Sequence, residues 1–418
     1  MLKALRGTKD ILPTDVGIWQ RIECSARNVF ARYGYTEIRT PVIEEAALFI
    51  RSIGNSTDIV QKEMYVFSDR GGRQIALRPE ATASIARSYV ENFLGEKAPL
   101  TKLFYIGPMF RSERPQKGRQ RQFHQLGIEA IGSDNPFLDV EVILLAVKFL
   151  EDLDIKDFNL KINSLGCQKD KFELIQKNKK ALRPHLKLLC NECKKRYHKN
   201  VLRVFDCKNA DCREVVRNIR PENSLCIDCA GHFETVKRGL EKIGVNYAVD
   251  LNIVRGLDYY TKTVFEITQE DLGSKDAISA GGRYNNLIQE MGGKYTPAIG
   301  FAFGIERLIL AVKEDPSKLK PTLDIFMATT SDELYEDAIL SMNSLRENGF
   351  SCDIDYGKRP LKAQMRMAEK LQVRFAIIFG EEEFRQDKVV VKDMKNRVQK
   401  KVKLKDLVKE IREARQGG

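Results

Sequence analysis

A cationic loop lies between two predicted strands, one at residues 103–110 and the other at residues 122–131. The first strand is apolar and aromatic, and the second alternates apolar residues with Gln125 and Glu129. The loop carries Arg111, Arg114, Lys117, Arg119 and Arg121. Each guanidinium can bind two anionic oxygens at once, so this hairpin can hold a polyphosphate. Because Gln125 and Glu129 are an even number of residues apart, both face one side of the strand and can bind a small molecule there.

Charge alone leaves two other interpretations of the hairpin open, a solvated basic surface and a nucleic-acid contact. The order of the residues is more specific. F-R-x-E at residues 110–113, followed by the basic loop and by R-x-F-H-Q-L-G-x-E at residues 121–129, resembles motif 2 of the class II aminoacyl-tRNA synthetases. The ending Q-F-H-Q-L-G-I-E resembles the bacterial histidyl-tRNA synthetases in particular. The resemblance implies that the carboxylate of L-histidine attacks the α-phosphate of ATP, and that the histidyl-adenylate then reacts with a ribose hydroxyl of tRNA(His).

Five residues of motifs 2 and 3 correspond to the ATP site of that family. Arg111 corresponds to the arginine that bridges the amino-acid carboxylate and the α-phosphate, and Glu113 to the glutamate on the adenine amino group. Phe123 corresponds to the aromatic residue stacked on adenine, and Arg119 to an arginine on the distal phosphates. Arg307, in the motif 3 sequence G-I-E-R, also corresponds to an ATP ligand, with a helix salt bridge to a neighbouring glutamate as the alternative. ATP is expected to bind with Mg2+ on its outer phosphates.

The segment R-G-L-D-Y-Y at residues 255–260 resembles a histidine-specific motif of the family. The resemblance implies that Arg255 lies on the α-phosphate and borders the histidine, at a place where other class II enzymes hold a metal ion. A fixed cation there would offset the negative charge that develops on phosphorus. Arg255 and Arg111 are therefore the predicted catalytic residues.

A histidine pocket must satisfy an imidazole ring in which one nitrogen donates and the other accepts. The resemblance assigns the N–H contact to Glu129 and the other nitrogen to Tyr260. It places Glu80, Thr82 and Gln125 around the α-amino group, with Tyr259 nearby and Tyr284 in the wall. Since adjacent strand residues point to opposite faces, we expect at most one residue of the Tyr259–Tyr260 pair to face the ligand. The alternative for this pair is two core aromatics.

The segment at about 168–240 is Lys-rich and contains six of the nine cysteines, which predicts an insertion in the catalytic domain. Cys190 and Cys193 form one C-x-x-C pair, and Cys226 and Cys229 form another. Two such pairs are typical of a structural tetrathiolate Zn2+ site, and free buried thiols are the alternative. A catalytic zinc is not expected, because four thiolates leave no open position.

The remaining elements predict two domains. The resemblance implies an α+β catalytic domain at residues 1–320, built on an antiparallel sheet with flanking helices. It also implies a homodimer through the motif 1 segment at residues 42–54. After a polar linker, strands and helices alternate, which predicts a mainly parallel α/β domain at residues 321–418. This pattern resembles the anticodon-binding domain of class II synthetases.

The composition fits an anionic partner. The 418-residue chain has a formal net charge of +12, and residues 385–418 contain 12 Lys or Arg against 5 Asp or Glu. This basic end is typical of a nucleic-acid contact, and a solvated helix face gives the same pattern. The resemblance implies that the nucleic acid is tRNA(His). No apolar run approaches the roughly 18 residues of a membrane span, and the N-terminus lacks a secretory pattern, so we expect a cytoplasmic protein without a membrane partner.

Two alternatives to a synthetase share the same scaffold. A non-catalytic regulatory paralogue of ATP phosphoribosyltransferase would resemble the catalytic core, but would lack the C-terminal domain and catalytic residues. A purely RNA-binding protein would not need an intact imidazole pocket. The chain retains Arg111, Arg255, Glu129 and Tyr260 and has the additional domain, which favours the enzyme.

Overall fold

The computed structural model describes residues 2–55, 57–116, 118–205, 207, 209–219, 225–251, 253, 257–269, 277–313 and 323–416. The predicted residues Arg255 and Lys117 lie outside these ranges. The chain divides into two compact units, Met1–Lys318 and Leu319–Gly418. Among the described residues, no helix has both the length and the apolar character needed to cross a bilayer.

The first unit contains a large sheet and a small one. Its strands are β1 (Thr36–Glu37), β2 (Ile43–Glu45), β3 (Val66–Ser68), β4 (Gln74–Leu77), β5 (Thr101–Phe110), β6 (Gln122–Ile131), β7 (Asn159–Ser164), β8 (Ala248–Val249), β9 (Thr261–Thr268), β10 (Ala277–Arg283) and β11 (Ala298–Gly304). The large sheet has the order β1-β5-β6-β11-β10-β9-β7-β8, and the small sheet has the order β2-β4-β3. In the large sheet the six central strands are antiparallel neighbours, whereas β1 and β8 pair parallel at the edges.

Helices flank this sheet. They are α1 (Val16–Arg32), α2 (Ala46–Ile53), α3 (Thr82–Glu91), α4 (Leu94–Lys97), α5 (Pro136–Asp152), α6 (Gln168–Leu182), α7 (Asn191–Lys199), α8 (Ala210–Asn218), α9 (Ile227–Lys242), α10 (Leu287–Glu290) and α11 (Ile305–Ala311). The predicted α+β class, an antiparallel sheet with flanking helices, is confirmed.

One face of the large sheet packs on α1 and α5. Phe30 of α1 lies 5.7 Å from Phe104 of β5 and 5.4 Å from Phe149 of α5, between ring centroids. Phe149 in turn contacts Phe303 of β11. Because side chains alternate along a strand, Tyr105, which follows Phe104, points to the opposite face, and Glu129, which pairs with Leu103, shares that face. That face is free of α1 and α5 and carries the site described below.

The segment between β7 and β8 is largely helical and comprises α6 to α9, with single 3-10 turns at Arg183–Leu188 and Val201–Val204. It has a hydrophobic cluster of its own, which includes Leu182, Val204, Cys193 and Cys212. The chain leaves the sheet at the start of α6 and returns to it along α9.

The second unit contains β12 (Ile325–Thr329), β13 (Cys352–Ile354), β14 (Phe375–Phe379), β15 (Lys388–Asp393) and β16 (Val398–Lys403), with α12 (Tyr335–Glu347), α13 (Leu361–Lys370), α14 (Glu381–Phe384) and α15 (Leu407–Gln416). The strand order is β13-β12-β14-β15-β16. The predicted α/β character is confirmed. Only the β13-β12-β14 part is parallel, because β15 and β16 add an antiparallel hairpin, and β16 was not predicted.

Candidate active site

A cleft of about 810 Å³ lies on the exposed face of the large sheet. It brings together every predicted histidine- and ATP-binding residue that the structure describes: Glu80, Thr82, Arg111, Glu113, Arg119, Phe123, Gln125, Glu129, Tyr259, Tyr260 and Arg307. These residues come from β6, the start of α3, the hairpin loop, the turn before β9 and the start of α11. Their binding roles stay predictions at this point. Arg255, the other predicted catalytic residue, lies outside the described residues.

One end of the cleft is cationic. Arg119 forms an ion pair with Glu113 at 2.7 Å, and the Arg111 guanidinium lies 5.2 Å from the centroid of the Phe123 ring. Burial lowers the pKa of Arg307, and the charges of Arg119 and Arg111 lower it further. Three guanidiniums that repel one another and share one carboxylate form a strong site for a polyanion.

The alternative for Arg307, a salt bridge with the preceding glutamate, does not match the structure. The Glu306 carboxylate accepts hydrogen bonds from the backbone N–H of His124 at 2.9 and 3.0 Å, and lies 3.1 Å from Nδ1 of the same histidine. Arg307 instead donates to the carbonyl of Ala277. Glu306 therefore joins α11 to β6 by hydrogen bonds, and this contact positions the neighbouring Arg307 at the cationic end of the cleft.

The other end of the cleft is built around Glu129, whose side chain is buried. Its carboxylate accepts hydrogen bonds from the Thr82 hydroxyl at 2.6 Å and from the Tyr284 hydroxyl. Burial raises the pKa of Glu129 to about 8, and the nearby charge of Glu80 acts in the same direction. At neutral pH this carboxyl therefore carries a proton, which it can share with a basic ring nitrogen.

Two glycines make room beside this carboxyl. Gly300 of β11 lies directly opposite Glu129, and a Cβ atom added there would overlap Glu129 Oε2. Gly127, two residues before Glu129, lies opposite Tyr105, and a Cβ at Gly127 would lie 2.6 Å from the Tyr105 hydroxyl. A side chain at either position would fill the space at this end of the cleft.

Glu80 and Thr82 stand at the first turn of α3. The Glu80 carboxylate accepts hydrogen bonds from the backbone N–H groups of Thr82 at 2.7 Å and Ala83 at 2.9 Å. Burial raises the pKa of Glu80, and these two hydrogen bonds oppose that rise. The proline before Glu80 and the acidic side chain at the helix start explain why the helix begins here.

Gln125 has an unsatisfied acceptor. Its Oε1 atom is buried and has no hydrogen-bond partner among the described residues. Buried polar atoms are rarely left without a partner, so this oxygen fits a donor supplied by a ligand, such as an ammonium group.

The tyrosine pair was predicted to lie on a strand, and this placement was wrong, whereas which of the two residues faces the ligand stays a prediction. Both Tyr259 and Tyr260 line the cleft, with ring centroids 4.8 Å apart. They lie in a turn that ends before β9 begins at Thr261, so the alternation of side chains along a strand does not apply to them. Both are nearly buried, at 6% and 8% exposure, and both belong to the hydrophobic cluster under the cleft.

Several residues of the cleft were not predicted. Tyr105 lines it, and the signal that could have identified it is its position in β5 opposite a glycine in β6. Arg196 and Arg203 of the insertion also line it, and Arg203 pairs with Asp58 at 3.0 Å. Nothing in the local sequence indicates that the insertion folds back to this place.

The predicted zinc site with Cys190, Cys193, Cys226 and Cys229 as one group was wrong. Among the described residues, the first C-x-x-C pair lies with Cys207 and Cys212, and the second pair lies with Cys167 and Asp170. The two pairs start different helices, α7 and α9, and each start packs against a different part of the insertion.

Comparisons with known proteins agree over nearly the whole chain. Residues 7–308 match the family described as histidyl-tRNA synthetase, and residues 321–414 match the anticodon binding domain. The histidine–tRNA ligase of Desulforamulus reducens is 46% identical over 406 residues, 96% of this chain and 97% of that protein. The histidine–tRNA ligase of Pelotomaculum thermopropionicum is 47% identical over 98% of this chain and 97% of that protein. The crystal structure of apo histidyl-tRNA synthetase from S. aureus superposes with a TM-score of 0.81 at 35% identity, covering 98% of this chain and 100% of that one.

Proposed function

The chain belongs to the histidyl-tRNA synthetase family, and from this premise we propose that it attaches L-histidine to tRNA(His) in an ATP-dependent reaction through a histidyl-adenylate. The observation that carries the proposal is a single cleft with three arginines at one end and a buried, protonatable carboxyl at the other. Relatives that match both domains over their full length are named histidine–tRNA ligase, so the chain is not the regulatory paralogue.

The first step joins two anions, so the site must offset their repulsion. Arg111, which lies between the cationic end and Glu80, is positioned to bind both the histidine carboxylate and the α-phosphate. Its Nε donates to the carbonyl of Pro79 at 3.0 Å, which orients the guanidinium, and its Nη1 lies 4.0 Å from Oε1 of Glu113. Phe123 offers its ring to adenine, and Arg119 and Arg307 bind the outer phosphates.

Two further positive charges, Arg255 and Mg2+, belong to the proposed adenylation step. Arg255 is proposed as the further cation on the α-phosphate. Mg2+ bound to the outer phosphates would neutralise part of their charge, and Glu266, which lines the cleft, offers the carboxylate oxygen that such an ion prefers.

Recognition of histidine rests on a proton shared between Glu129 and the imidazole ring. With a pKa of about 8, Glu129 is protonated in the empty site at neutral pH, and an entering imidazole of ordinary pKa near 6.5 is neutral. In the complex, the proton of Glu129 lies between its carboxyl and the unprotonated ring nitrogen. The pair is then either carboxyl and imidazole or carboxylate and imidazolium. Tyr260 serves the other ring nitrogen, and Gln125, Glu80 and Thr82 surround the α-amino group, with Tyr259 nearby.

Specificity follows from this arrangement. An amino acid without a ring nitrogen would leave the proton of the buried Glu129 carboxyl without an acceptor from the substrate, and a site built on paired polar groups rejects such analogues by large factors.

The second step needs tRNA. The C-terminal unit matches the anticodon-binding domain, and its β16 strand is Lys-rich, with Lys400, Lys401 and Lys403 exposed. We propose that this strand contributes to the contact with the phosphate backbone.

We also propose a homodimer through motif 1. The small sheet exposes the apolar side chains of Ile43 by 49%, Val66 by 45% and Phe67 by 44%. The strand register places Ile43 and Phe67 on one face of this sheet, on either side of β4, and Val66 on the other face. Exposed apolar residues that share a face are the kind of surface that proteins bury against a partner. Light scattering should give twice the mass of the chain, and a monomer at micromolar concentration would contradict the proposal.

Amino-acid-dependent ATP–pyrophosphate exchange tests the adenylation activity. The purified protein is assayed with each of the twenty amino acids in the presence of Mg2+. Exchange with histidine alone, followed by histidine transfer to tRNA(His) and not to another tRNA, is the expected result. Folded protein that shows no exchange with histidine would refute the proposed function.

A further inference from the structure

The helical insertion contains two separate groups of metal-ligating side chains. Cys190, Cys193, Cys207 and Cys212 form the tetrathiolate cluster, and Cys167, Asp170, Cys226 and Cys229 form the neck cluster. In each cluster the four candidate ligand atoms lie within 4.8 Å of one another. We propose that each cluster binds one structural Zn2+ ion, so that the chain carries two.

The spacing of the sulfurs fits such an ion. A tetrahedral site with Zn–S bonds of about 2.3 Å places its sulfurs about 3.8 Å apart. The sulfurs of Cys190 and Cys207 are 3.9 Å apart. All nine cysteines are free, and a disulfide would require about 2.05 Å between sulfurs. This pair satisfies the distance condition for zinc and not that for a disulfide, and all four sulfurs lie within 4.8 Å of one another.

Backbone groups around the tetrathiolate cluster favour thiolates. Cys190 is the N-cap residue of α7, and Cys193 lies in the first turn of that helix. The N–H of Cys193 points to the sulfur of Cys190 at 3.5 Å, and the N–H of Cys190 points to the sulfur of Cys212 at 3.2 Å. N–H donors and the positive end of a helix stabilise the anionic sulfur that binds metal.

The neck cluster consists of two helix starts, and each has a cysteine at the N-cap and a second candidate ligand in the first turn, as α7 does. Cys167 is the N-cap residue of α6 with Asp170 in its first turn, and Cys226 is the N-cap residue of α9 with Cys229 in its first turn. The Asp170 carboxylate accepts from the N–H groups of Cys226 at 3.2 Å and Cys167 at 3.3 Å, which joins the two helix starts. Three thiolates and one carboxylate are ligands that zinc accepts.

The neck cluster lies where the chain enters and leaves the insertion. Its first pair follows β7, and its second pair starts the helix that leads back to β8. An ion held by both pairs would join the two ends of the insertion, and its binding free energy would add to the stability of the folded chain. The next residue, Lys171, donates from Nζ to the carbonyl of Asp258 at 2.6 Å and of Tyr260 at 3.3 Å. The neck is therefore tied to the turn that carries the tyrosine pair.

Bound ions would add stability that the hydrophobic cluster of the insertion supplies only in part. Its own hydrophobic cluster is small and includes two of the ligands, Cys193 and Cys212. A small core supplies little stability, and small domains commonly add a metal for this reason. Cys207 also lines the cleft, so the tetrathiolate cluster fixes the part of the insertion that faces the substrates.

Metal analysis of the full chain tests the proposal. The protein is purified anaerobically with a tag that binds no metal, in buffers without chelator, and zinc per chain is measured by mass spectrometry. We expect two zinc ions in the wild type and one in each of the double variants Cys207→Ser/Cys212→Ser and Cys226→Ser/Cys229→Ser. The exposed cysteine outside both clusters provides the control, since Cys24→Ser should retain both ions. Circular dichroism checks that each variant is folded.

A second measurement needs no variant. Cobalt exchanged into the wild-type protein should show the absorption of tetrahedral thiolate sites, and titration with a mercurial should release two metal ions per chain. Wild-type protein that contains no stoichiometric zinc overturns both sites. One zinc that is lost in Cys207→Ser/Cys212→Ser and retained in Cys226→Ser/Cys229→Ser overturns the neck site alone, and the reverse pattern overturns the tetrathiolate site alone. Zinc that persists at wild-type content in both double variants overturns the assignment of ligands.

Discussion

Replacement of Glu129 by Gln tests two properties of this carboxyl: its role in binding histidine, measured as kcat/KM, and the effect of its burial on stability, measured as a function of pH. The change keeps the volume of the side chain and an oxygen that can accept from Thr82 or Tyr284, but it removes the charge and the proton. A hydrogen bond to a charged group is worth about 1.5–3 kcal/mol. We therefore expect kcat/KM for histidine in pyrophosphate exchange to fall about 10- to 150-fold, at about 1.4 kcal/mol per factor of ten.

The same variant should become more stable relative to wild type as the pH rises. Burial raises the pKa of Glu129 from 4.5 to about 8, so between these values the folded chain keeps a proton that the unfolded chain has lost. Stability of the wild type therefore falls through this window, by up to about 1.4 kcal/mol per pH unit from this group. Glutamine does not titrate, so Glu129→Gln lacks this contribution.

The assay follows unfolding in urea at pH 5.5 and pH 8. The fluorescence of the single tryptophan, Trp19 in α1, reports the unit that contains Glu129. Substitution of an exposed glutamate, Glu333→Gln, is the control and should change neither quantity. A Glu129→Gln variant with wild-type kcat/KM for histidine, or with a stability difference that is the same at both pH values, would refute the reasoning.

Three further changes probe other parts of the chain. Gly300→Ala should abolish histidine-dependent exchange, because its Cβ would overlap the buried carboxylate, whereas Gly231→Ala, which has open space around it, should leave exchange unchanged; equal rates in the two variants would contradict the pocket geometry. Arg307→Lys keeps the charge but loses the fork that binds two oxygens, so KM for ATP should rise about tenfold while KM for histidine changes little, and an unaltered KM for ATP would remove this residue from the ATP site. Lys400→Glu/Lys401→Glu should weaken tRNA binding in filter assays and leave pyrophosphate exchange at the wild-type rate, and unchanged binding across salt concentrations would exclude β16 from the contact.

The elements that the sequence predicted well are those formed by neighbours in the chain. The β5–β6 hairpin and its cationic loop were predicted because apolar alternation on both sides of a turn is a local signal. The β16 strand was missed because half of its residues are lysines and most of them are exposed, so that hydrophobic alternation does not reveal it. The strand is stabilised by pairing with β15, and that pairing does not appear in its own pattern.

The cysteines show the same limit. The spacing of Cys190 and Cys193, and of Cys226 and Cys229, predicted that each pair of thiols lies together, whereas metal binding by either pair stays a proposal. It did not identify which pairs share a site, because partners distant in the chain meet only after the helices of the insertion have packed. Asp170 in particular carries no motif that predicts its position beside the second pair, which it reaches from the first turn of α6.

The sequence alone therefore determined which residue types are available for the proposed chemistry, namely arginines for a polyphosphate and a glutamate for an imidazole, and the order of its motifs identified the family. The tertiary structure decided what those groups can do. It buries Glu129 beside two hydroxyls and opposite Gly300, and this burial raises the pKa of Glu129. It also places Tyr259 and Tyr260 in a turn before the strand, where both line the cleft. Residue types and their local order are properties of the sequence itself. Burial and contacts between distant segments arise only when the sheet has formed, and these determine the pKa of a side chain.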